Sequence, residues 1–243
     1  MNKLIPISEA ARRLGVSIDT LRRWDSAGQL SSVRSGPRGH RFYNLSDIEQ
    51  FTKDQYSIAK KWVESSFAVE PESYMYCQTR DVFQARLESF QAKLSMEMSI
   101  STTSLITAVS GEIGNNSFDH NLGNWPDVTG IIFSYSLRKR IVVLADRGQG
   151  ILKTLKRVKP ELVDFQGALK TAFTETISGR LPEARGNGLK FVKEVIVKNP
   201  FTLYFQTGDA YLYLKQYDKE VEVKQANTFI RGCFAQISFE GGI

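Results

Sequence analysis

The sequence predicts an α+β protein with three parts: a winged helix-turn-helix at residues 1–60, a helical connector at residues 61–100 and a two-layer α/β sandwich at residues 101–243. Three observations support this division. Two short amphipathic helical patterns precede a hairpin rich in glycine and basic residues. A long helical pattern after residue 100 leads into strand-like apolar runs. Almost all of the net positive charge lies before residue 44.

The uneven charge bears on the kind of partner. Residues 1–43 carry eight basic and three acidic side chains, a net charge of +5 out of +6 for the 243-residue chain. Such a module is expected to meet a polyanion. The sequence has no apolar run of the roughly 18 residues that span a bilayer and no signal-peptide pattern, so we expect a cytoplasmic protein with no membrane partner. Cys77 and Cys233 lie far apart, which predicts buried free thiols and neither a disulfide framework nor a zinc site.

The first module begins with two helices joined by a tight turn. Ser8 is a candidate cap for the first helix, and Ser17 or Asp19 for the second, which extends to about Ala27. In a helix-turn-helix the second helix enters the major groove of double-stranded DNA. We therefore expect contacts to base edges or phosphates from the polar side chains at its start and on its outer faces, namely Ser17, Thr20, Arg22 and Arg23.

A basic hairpin follows these helices. Arg38, His40 and Arg41 alternate with glycine and proline between two short extended stretches, and we expect them to reach the DNA backbone. A further helix begins at Asn44 or Ser46. The runs LRRWDSAGQL, GHRFY and LSDI resemble the winged helix of MerR-like and excisionase-like regulators over residues 4–52. This resemblance implies DNA binding and a homodimer formed through helices after the wing. The alternative is a protein-interaction module whose arginines form a solvated face.

The connector is predicted to be mainly helical, with a break near residues 70–72. Val82, Leu87, Phe90 and Leu94 give it an apolar face. That face either covers the next domain or pairs with its copy in a dimer.

Three separated motifs predict a binding site in the last part of the chain. The first lies on one helix, residues 104–120, where the four-residue spacing puts Glu112 and Asn116 on one face, with Asp119 one turn further. A carboxamide oxygen suits a hard cation such as Mg²⁺, and a carboxylate beside it suits the activation of a hydroxyl or water. This pair indicates magnesium-dependent phosphate chemistry.

The other two motifs are rich in glycine. Asp146, Gly148 and Gly150 follow a strand-like run, where a carboxylate can accept the amino group of adenine. Glycines that open a helix present amide hydrogens and the positive end of the helix dipole to phosphate, and such a start is formed by Arg185, Gly186, Asn187, Gly188 and Leu189. Each motif alone is also explained by turn glycines at strand–helix junctions.

In this order the motifs resemble the N, G1 and G2 boxes of the GHKL superfamily, which includes DNA gyrase, MutL mismatch-repair proteins, sensor histidine kinases and anti-sigma-factor kinases. The resemblance spans about residues 100–240 and implies a Bergerat fold that binds ATP with Mg²⁺. It implies Asn116 as the metal ligand, Asp146 as the adenine contact, Glu112 as the general base, and Asp119 as part of the nucleotide site. Residues 186–189 would form the triphosphate loop, and Arg185, in the lid before it, would contact phosphates.

The two modules together predict a transcription regulator whose DNA affinity or choice of partner depends on nucleotide. An enzyme is the second hypothesis, a serine/threonine kinase of the anti-sigma-factor type that acts on an antagonist-like partner protein. A scaffold that depends on ATP is the third.

Overall fold

The computed structural model describes residues 3–14, 16–28, 30–36, 39–67, 69–176 and 188–240. These residues form a mixed α+β protein with an N-terminal helix-turn-helix region and a C-terminal antiparallel sheet. In chain order the elements are β1 (Leu4–Pro6), α1 (Ile7–Leu14), α2 (Ile18–Ser26), β2 (Val33–Ser35), β3 (His40–Asn44), α3 (Leu45–Glu64), β4 (Tyr76–Cys77), α4 (Arg80–Leu94), α5 (Ile100–Asn121), β5 (Ile131–Ser136), β6 (Ile141–Asp146), α6 (Gly150–Leu155), α7 (Phe165–Thr174), α8 (Gly188–Lys198), β7 (Phe201–Lys215) and β8 (Val223–Phe239).

The helix-turn-helix forms as the sequence predicts, except that α1 begins at Ile7, so Ser8 lies inside this helix instead of capping it. Ser17 caps α2 by accepting a hydrogen bond from the backbone N–H of Thr20 at 3.0 Å. The apolar faces of α1 and α2 close on each other, so that Leu21 and Trp24 are buried. The wing strands β2 and β3 are antiparallel, and β1 pairs with β3 as a third strand that the sequence analysis did not predict.

Helix α3 begins in the small N-terminal module and extends beyond it into the larger unit. Near its beginning, Ile48 belongs to the core of the helix-turn-helix. Near its end, Ala59, Trp62 and Val63 belong to a different core, which they form with one face of the five-stranded sheet. One continuous helix of 20 residues therefore contributes to two cores.

The five-stranded sheet has the order β4-β5-β6-β8-β7, with antiparallel pairing throughout. Alternate residues of β6 face opposite sides, as the period of a strand requires. Val142 and Leu144 pack under the helices α4, α5, α7 and α8, whereas Val143 and Ala145 pack under α3. The predicted layer of helices thus covers one face, and α3 adds cover to the second face that a two-layer prediction leaves open.

The segment treated as a connector takes part in the larger unit. Residues 76–77 form the edge strand β4, and α4 is a helix of 15 residues capped by Thr79. Of the residues predicted to form the apolar face of α4, Leu87, Phe90 and Leu94 lie in the same core as α5 and the sheet. The prediction was wrong for Val82, which is exposed, and Phe83 takes its place in the core. The first of the two alternatives, that this face covers the next domain, therefore holds for α4, and the domain boundaries stay a prediction.

The end of the chain is simpler than its apolar runs suggest. The runs at residues 201–205 and 211–214 belong to one strand, β7, which forms a single long hairpin with β8. A register shift at Gly208 interrupts the apolar alternation between the two runs.

Candidate functional site

A cavity of about 850 Å³ lies between α5, the segment from α6 to α7, and the start of α8. It brings together residues from all three predicted motifs, although they are separated by up to 77 positions in the chain, from Glu112 to Leu189. The predicted site residues that line it are Glu112, Asn116, Asp119, Asp146, Gly150, Gly188 and Leu189. Arg185, Gly186 and Asn187 lie outside the described residues, so their predicted role stays a prediction.

Helix α5 supplies the polar wall of the cavity. Glu112, Asn116 and Asp119 project from one face, as their spacing predicts. Burial and the neighbouring charge of Asp119 both raise the pKa of Glu112. Asp119 forms an ion pair with Arg80 at the start of α4, a cavity residue that the motifs do not include. The carboxylate at position 119 is therefore shared between the cavity and a structural contact.

Asp146 ends strand β6 with its carboxyl group almost fully buried. Its Oδ2 accepts a hydrogen bond from the Ser117 hydroxyl at 2.8 Å, and its Oδ1 accepts one from the backbone N–H of Gly148 at 2.8 Å. Burial raises its pKa to about 6, against the opposing effect of these hydrogen bonds. A carboxylate held in this way is fixed in direction and can still accept from a ligand.

Ser117 and Asn121 are site residues that the motif analysis missed. Asn121 accepts a hydrogen bond from the backbone N–H of Gln149 at 2.7 Å and donates one to the carbonyl of Ser117 at 2.8 Å. A Cβ on Gly148 would lie only 2.0 Å from the Asn121 amide nitrogen, so Gly148 lets the loop after β6 pack on α5 without itself lining the cavity. The four-residue spacing from Ser117 to Asn121, on the helix of Glu112, is the signal that points to both.

Helix α8 begins against the opposite wall. A Cβ on Gly188 would lie 1.9 Å from Oε1 of Glu112, so glycine lets the start of α8 approach the carboxylate without displacing it. The first amides of α8 and the carboxylate of Glu112 are thereby held at one end of the cavity.

One arginine at the cavity mouth was also missed. Arg157 follows α6, lines the cavity and donates a hydrogen bond to the Gln149 side chain at 2.7 Å. The amide of Gln149 in turn donates to the carbonyl of His120 at 3.2 Å. The sequence gives no motif around Arg157, because its neighbours Lys156 and Lys159 make it part of an ordinary basic turn.

The predicted DNA-contacting residues of α2 lie at its surface. Arg22 and Arg23 are exposed, with Arg22 paired to Asp19 at 2.8 Å. Ser17 and Thr20, at the start of the helix, also line a small crevice of about 180 Å³ against Tyr74, Arg86 and strand β5. The orientation of the module therefore bears on the access of DNA to these two side chains.

The wing residues differ in whether their side chains already make a structural contact within the protein. His40 is exposed. The Nε–H of Arg41 donates to Asp25 at 2.7 Å, and this hydrogen bond is the main reason why the pKa of Asp25 falls to about 2. Arg41 therefore has a structural contact besides any contact to phosphate, and Arg38 lies outside the described residues.

The described residues define a protein with a winged helix-turn-helix module and a larger α+β unit that has its own cavity. Residues 6–43 match the model of the MerR family of regulatory proteins. The match covers α1, α2 and the wing, and it identifies these residues as a MerR-type regulator module.

A second comparison extends into the larger unit. Over 217 residues the chain is 25% identical to the Type II methyltransferase M.Eco47II of Escherichia coli, and the alignment covers 82% of this chain and 49% of that protein. The chain thus spans about half the length of the curated relative that it matches. Among the described residues, no helix is both long and apolar enough to cross a membrane.

Proposed function

We propose that this protein is a DNA-binding transcription regulator whose larger unit binds ATP with Mg²⁺ in a GHKL-type (Bergerat) site, and that bound nucleotide changes its affinity for DNA. The observation that carries the proposal is the convergence of Glu112, Asn116, Asp146 and Gly188 on one cavity. The MerR-type module supports the choice of double-stranded DNA as the partner. A homodimer, implied by the resemblance to MerR-like regulators, is part of the proposal.

The cavity fits a nucleotide in size and chemistry. Its volume of about 850 Å³ lies within the usual range for small-molecule sites, roughly 300–1,000 Å³. Asp146, held by Ser117 and Gly148, provides a fixed acceptor for the amino group of a purine. The start of α8 directs its first amide hydrogens and the positive end of its dipole to the cavity, which favour phosphate.

The donor set also fits a magnesium ion that arrives with the nucleotide. The described residues contain no cluster of three or more His, Cys, Asp or Glu that would hold a metal by itself. Mg²⁺ at phosphate sites takes few protein ligands and completes its shell with phosphate oxygens and water. The amide oxygen of Asn116 would hold it here, and the ion would supply charge neutralisation for the phosphates.

Glu112 supports a catalytic alternative. Burial and Asp119 raise its pKa, which brings it closer to the working range of a general base near neutral pH. A base at this position serves either ATP hydrolysis or transfer of phosphate to the hydroxyl of a partner protein, as in a kinase of the anti-sigma-factor type. Labelled ATP separates these reactions, because hydrolysis releases phosphate from the protein alone whereas transfer labels the partner.

Because the chain is similar to a methyltransferase, a test of ATP binding should also include a methyl donor as an alternative ligand. The alignment omits only 18% of this chain, so it includes most of the larger unit. S-adenosylmethionine, the usual methyl donor, shares the adenosine group with ATP but lacks the phosphates. A cavity that recognises phosphates and Mg²⁺ should bind ATP more tightly than S-adenosylmethionine.

Calorimetric titration of the full chain with ATP, ADP and S-adenosylmethionine, each with and without Mg²⁺, tests the proposal. We expect ATP binding that Mg²⁺ strengthens and that Asn116→Ala weakens at least about tenfold, because the amide ligand is lost. Asn227→Ala, at an exposed position of β8 outside the cavity lining, is the matched control and should bind as the wild type does. Unchanged affinity in Asn116→Ala, or preferential binding of S-adenosylmethionine, would contradict the proposal.

A further inference from the structure

Arg147 lies inside the second motif but does not face the cavity. It follows Asp146 and precedes Gly148, and its side chain is fully buried on the opposite side of the sheet. A buried guanidinium is tolerated only where its charge is paired and its N–H groups are hydrogen-bonded. The contacts that satisfy it therefore show what this residue holds in place.

Those contacts join the end of α3 to the loop before β5. The Nη1 group donates to the backbone carbonyls of Trp62 and Ser65, the latter at 2.8 Å. The Nη2 and Nε groups donate to Oδ2 of Asp127 at 2.7 and 3.1 Å. The carbonyls at the end of a helix carry the negative end of its dipole, so a cation there is favourable. Arg147 thus anchors the C-terminal end of α3 with both hydrogen bonds and charge.

Helix α3 carries this anchor to the helix-turn-helix. It begins directly after the wing strand β3, and Ile48 packs in the core of the small module. An α-helix of 20 residues is about 30 Å long. A tilt imposed at its Arg147 end is therefore passed to the wing without an intervening flexible joint.

The other side of the same three-residue segment faces the cavity. Asp146 lines it, and Gly148 packs directly on Asn121 of α5. Because Asp146, Arg147 and Gly148 are consecutive, their backbone moves together. The Arg147 side chain gives a shift that a ligand of Asp146 imposes on this segment a direct route to the carbonyls of Trp62 and Ser65.

The position of the small module affects a surface that DNA needs. Ser17 and Thr20 line the crevice of about 180 Å³ against the larger unit, and a crevice of that size does not admit a duplex. Ion pairs between Arg12 and Glu97 and between Arg138 and Glu49 hold the module close to the larger unit. The angle of α3 therefore sets how far these two side chains are open to DNA.

We propose that Arg147 is a positioning residue that couples the cavity to the helix-turn-helix through α3, so that occupancy of the cavity changes the access of DNA to α2. The inference rests on the proposed function, since it requires a ligand with different affinity for two orientations of α3. It goes beyond that function by assigning the coupling to one guanidinium and one helix.

The test measures coupling in the full-length protein. The dissociation constant for a DNA fragment is determined with and without ATP and Mg²⁺, and the ratio of the two constants is the coupling factor. We expect a wild-type factor of at least about 5, which is the lower end for allosteric proteins. Arg147→Lys keeps the charge but cannot hold Asp127 and both carbonyls at once. It should bind ATP and DNA separately, within about threefold of the wild type, with a coupling factor near 1.

Two further variants make the result specific. Arg231→Lys is the matched control, because Arg231 also contacts Asp127, at 3.4 Å, but among the described residues it forms no hydrogen bond or ion pair with the end of α3. It should retain the wild-type coupling factor. Asp127→Asn removes the charge partner of Arg147 and should lower the factor even if Arg147→Lys proves too unstable to measure. Amide hydrogen exchange at residues 59–65 should respond to ATP in the wild type and not in Arg147→Lys.

The outcomes distinguish the two proposals. If the wild type fails to bind ATP, or binds it without any change in DNA affinity, the proposed function is wrong and the inference falls with it. If the wild type shows coupling that persists in both Arg147→Lys and Asp127→Asn, the proposed function stands and the role of Arg147 is wrong.

Discussion

At the scale of single residues, Asp146 is a carboxyl group whose burial at the cavity disfavours its charged form. Its carboxyl group is buried with a pKa of about 6, against 3.8 for an ordinary aspartate. Since folding raises this pKa, the protonated form stabilises the folded protein fully below about pH 4. That stabilisation is lost as the pH rises through about 6. A buried acceptor of this kind is retained at a cost in stability, which is typical of a binding site.

Asp146→Asn tests this cost. The amide is neutral at every pH, so the variant should lack this pH dependence. The difference between the unfolding free energies of variant and wild type should shift in favour of the variant by about 2 kcal/mol between pH 4 and pH 7.5. Urea titrations at the two pH values measure it. Ser117→Ala keeps the carboxyl group but loses a hydrogen bond that lowers its pKa, so its stability should depend on pH at least as strongly as that of the wild type. The wild-type pH dependence in Asp146→Asn would show that another group titrates.

Sequence spacing predicts some site residues and misses others for a physical reason. Glu112, Asn116 and Asp119 share a helix, so the helical period alone places them on one face. Asn121 acts by accepting from Gln149, and Arg157 acts from a turn, so both depend on tertiary contacts between elements. The helical spacing from Ser117 points to the position of Asn121, but no local pattern in the sequence shows the contact of Asn121 or Arg157 with Gln149.

At the scale of elements, two glycines of α5 lie directly against side chains of α4. A Cβ on Gly114 would lie 2.2 Å from the ring of Phe83, which is itself buried against Phe118 and Phe133 and cannot move aside easily. A Cβ on Gly111 would meet the flexible side chain of Leu87 at 3.1 Å. The two positions lie on the same helix and differ in the rigidity of the neighbour.

Gly114→Ala should therefore destabilise the protein by about 1–3 kcal/mol, the usual cost of overpacking a core. Gly111→Ala is the matched control. Its gain in helix propensity, about 0.5–1 kcal/mol, should offset most of the crowding against Leu87. Urea unfolding of both variants measures the difference, and equal stabilities would show that α4 gives way as a unit.

Elements with a strong local signal were predicted well. The capping of α2 by Ser17 and the strands around Asp146 follow from patterns within a few residues. Strand β4 has two residues and pairs with β5 more than 50 positions later, as Tyr76 opposite Ile132 shows, so nothing local predicts it. The two apolar runs within β7 do not reveal a single strand in the sequence, because Gly208 interrupts their alternation.

At the scale of the whole molecule, the way in which the two modules pack together could not be predicted from the sequence. Continuity of α3 through two cores and the ion pairs of Arg12 with Glu97 and of Arg138 with Glu49 define it. The sequence shows which side chains are charged but not which of them form ion pairs with each other. The distribution of charge, in contrast, gives a prediction for the entire chain.

If the first 43 residues meet the phosphates, the salt dependence of DNA binding should originate there. Each phosphate contact contributes about one to the slope of log K against log salt. Arg23→Ala should therefore lower the slope by about 1, because Arg23 is an exposed residue of α2. Arg41 is a poor choice for this test, since its loss also leaves Asp25 without its main partner.

Lys215→Ala is the control, an exposed lysine at the end of β7 in the larger unit. Removing it changes the net charge as much as Arg23→Ala does, so an effect of overall charge would lower both slopes alike. Fluorescence anisotropy with a genomic DNA fragment between about 50 and 200 mM salt measures the slopes. A slope that falls in Lys215→Ala but not in Arg23→Ala would move the DNA-binding surface from the helix-turn-helix to the larger unit.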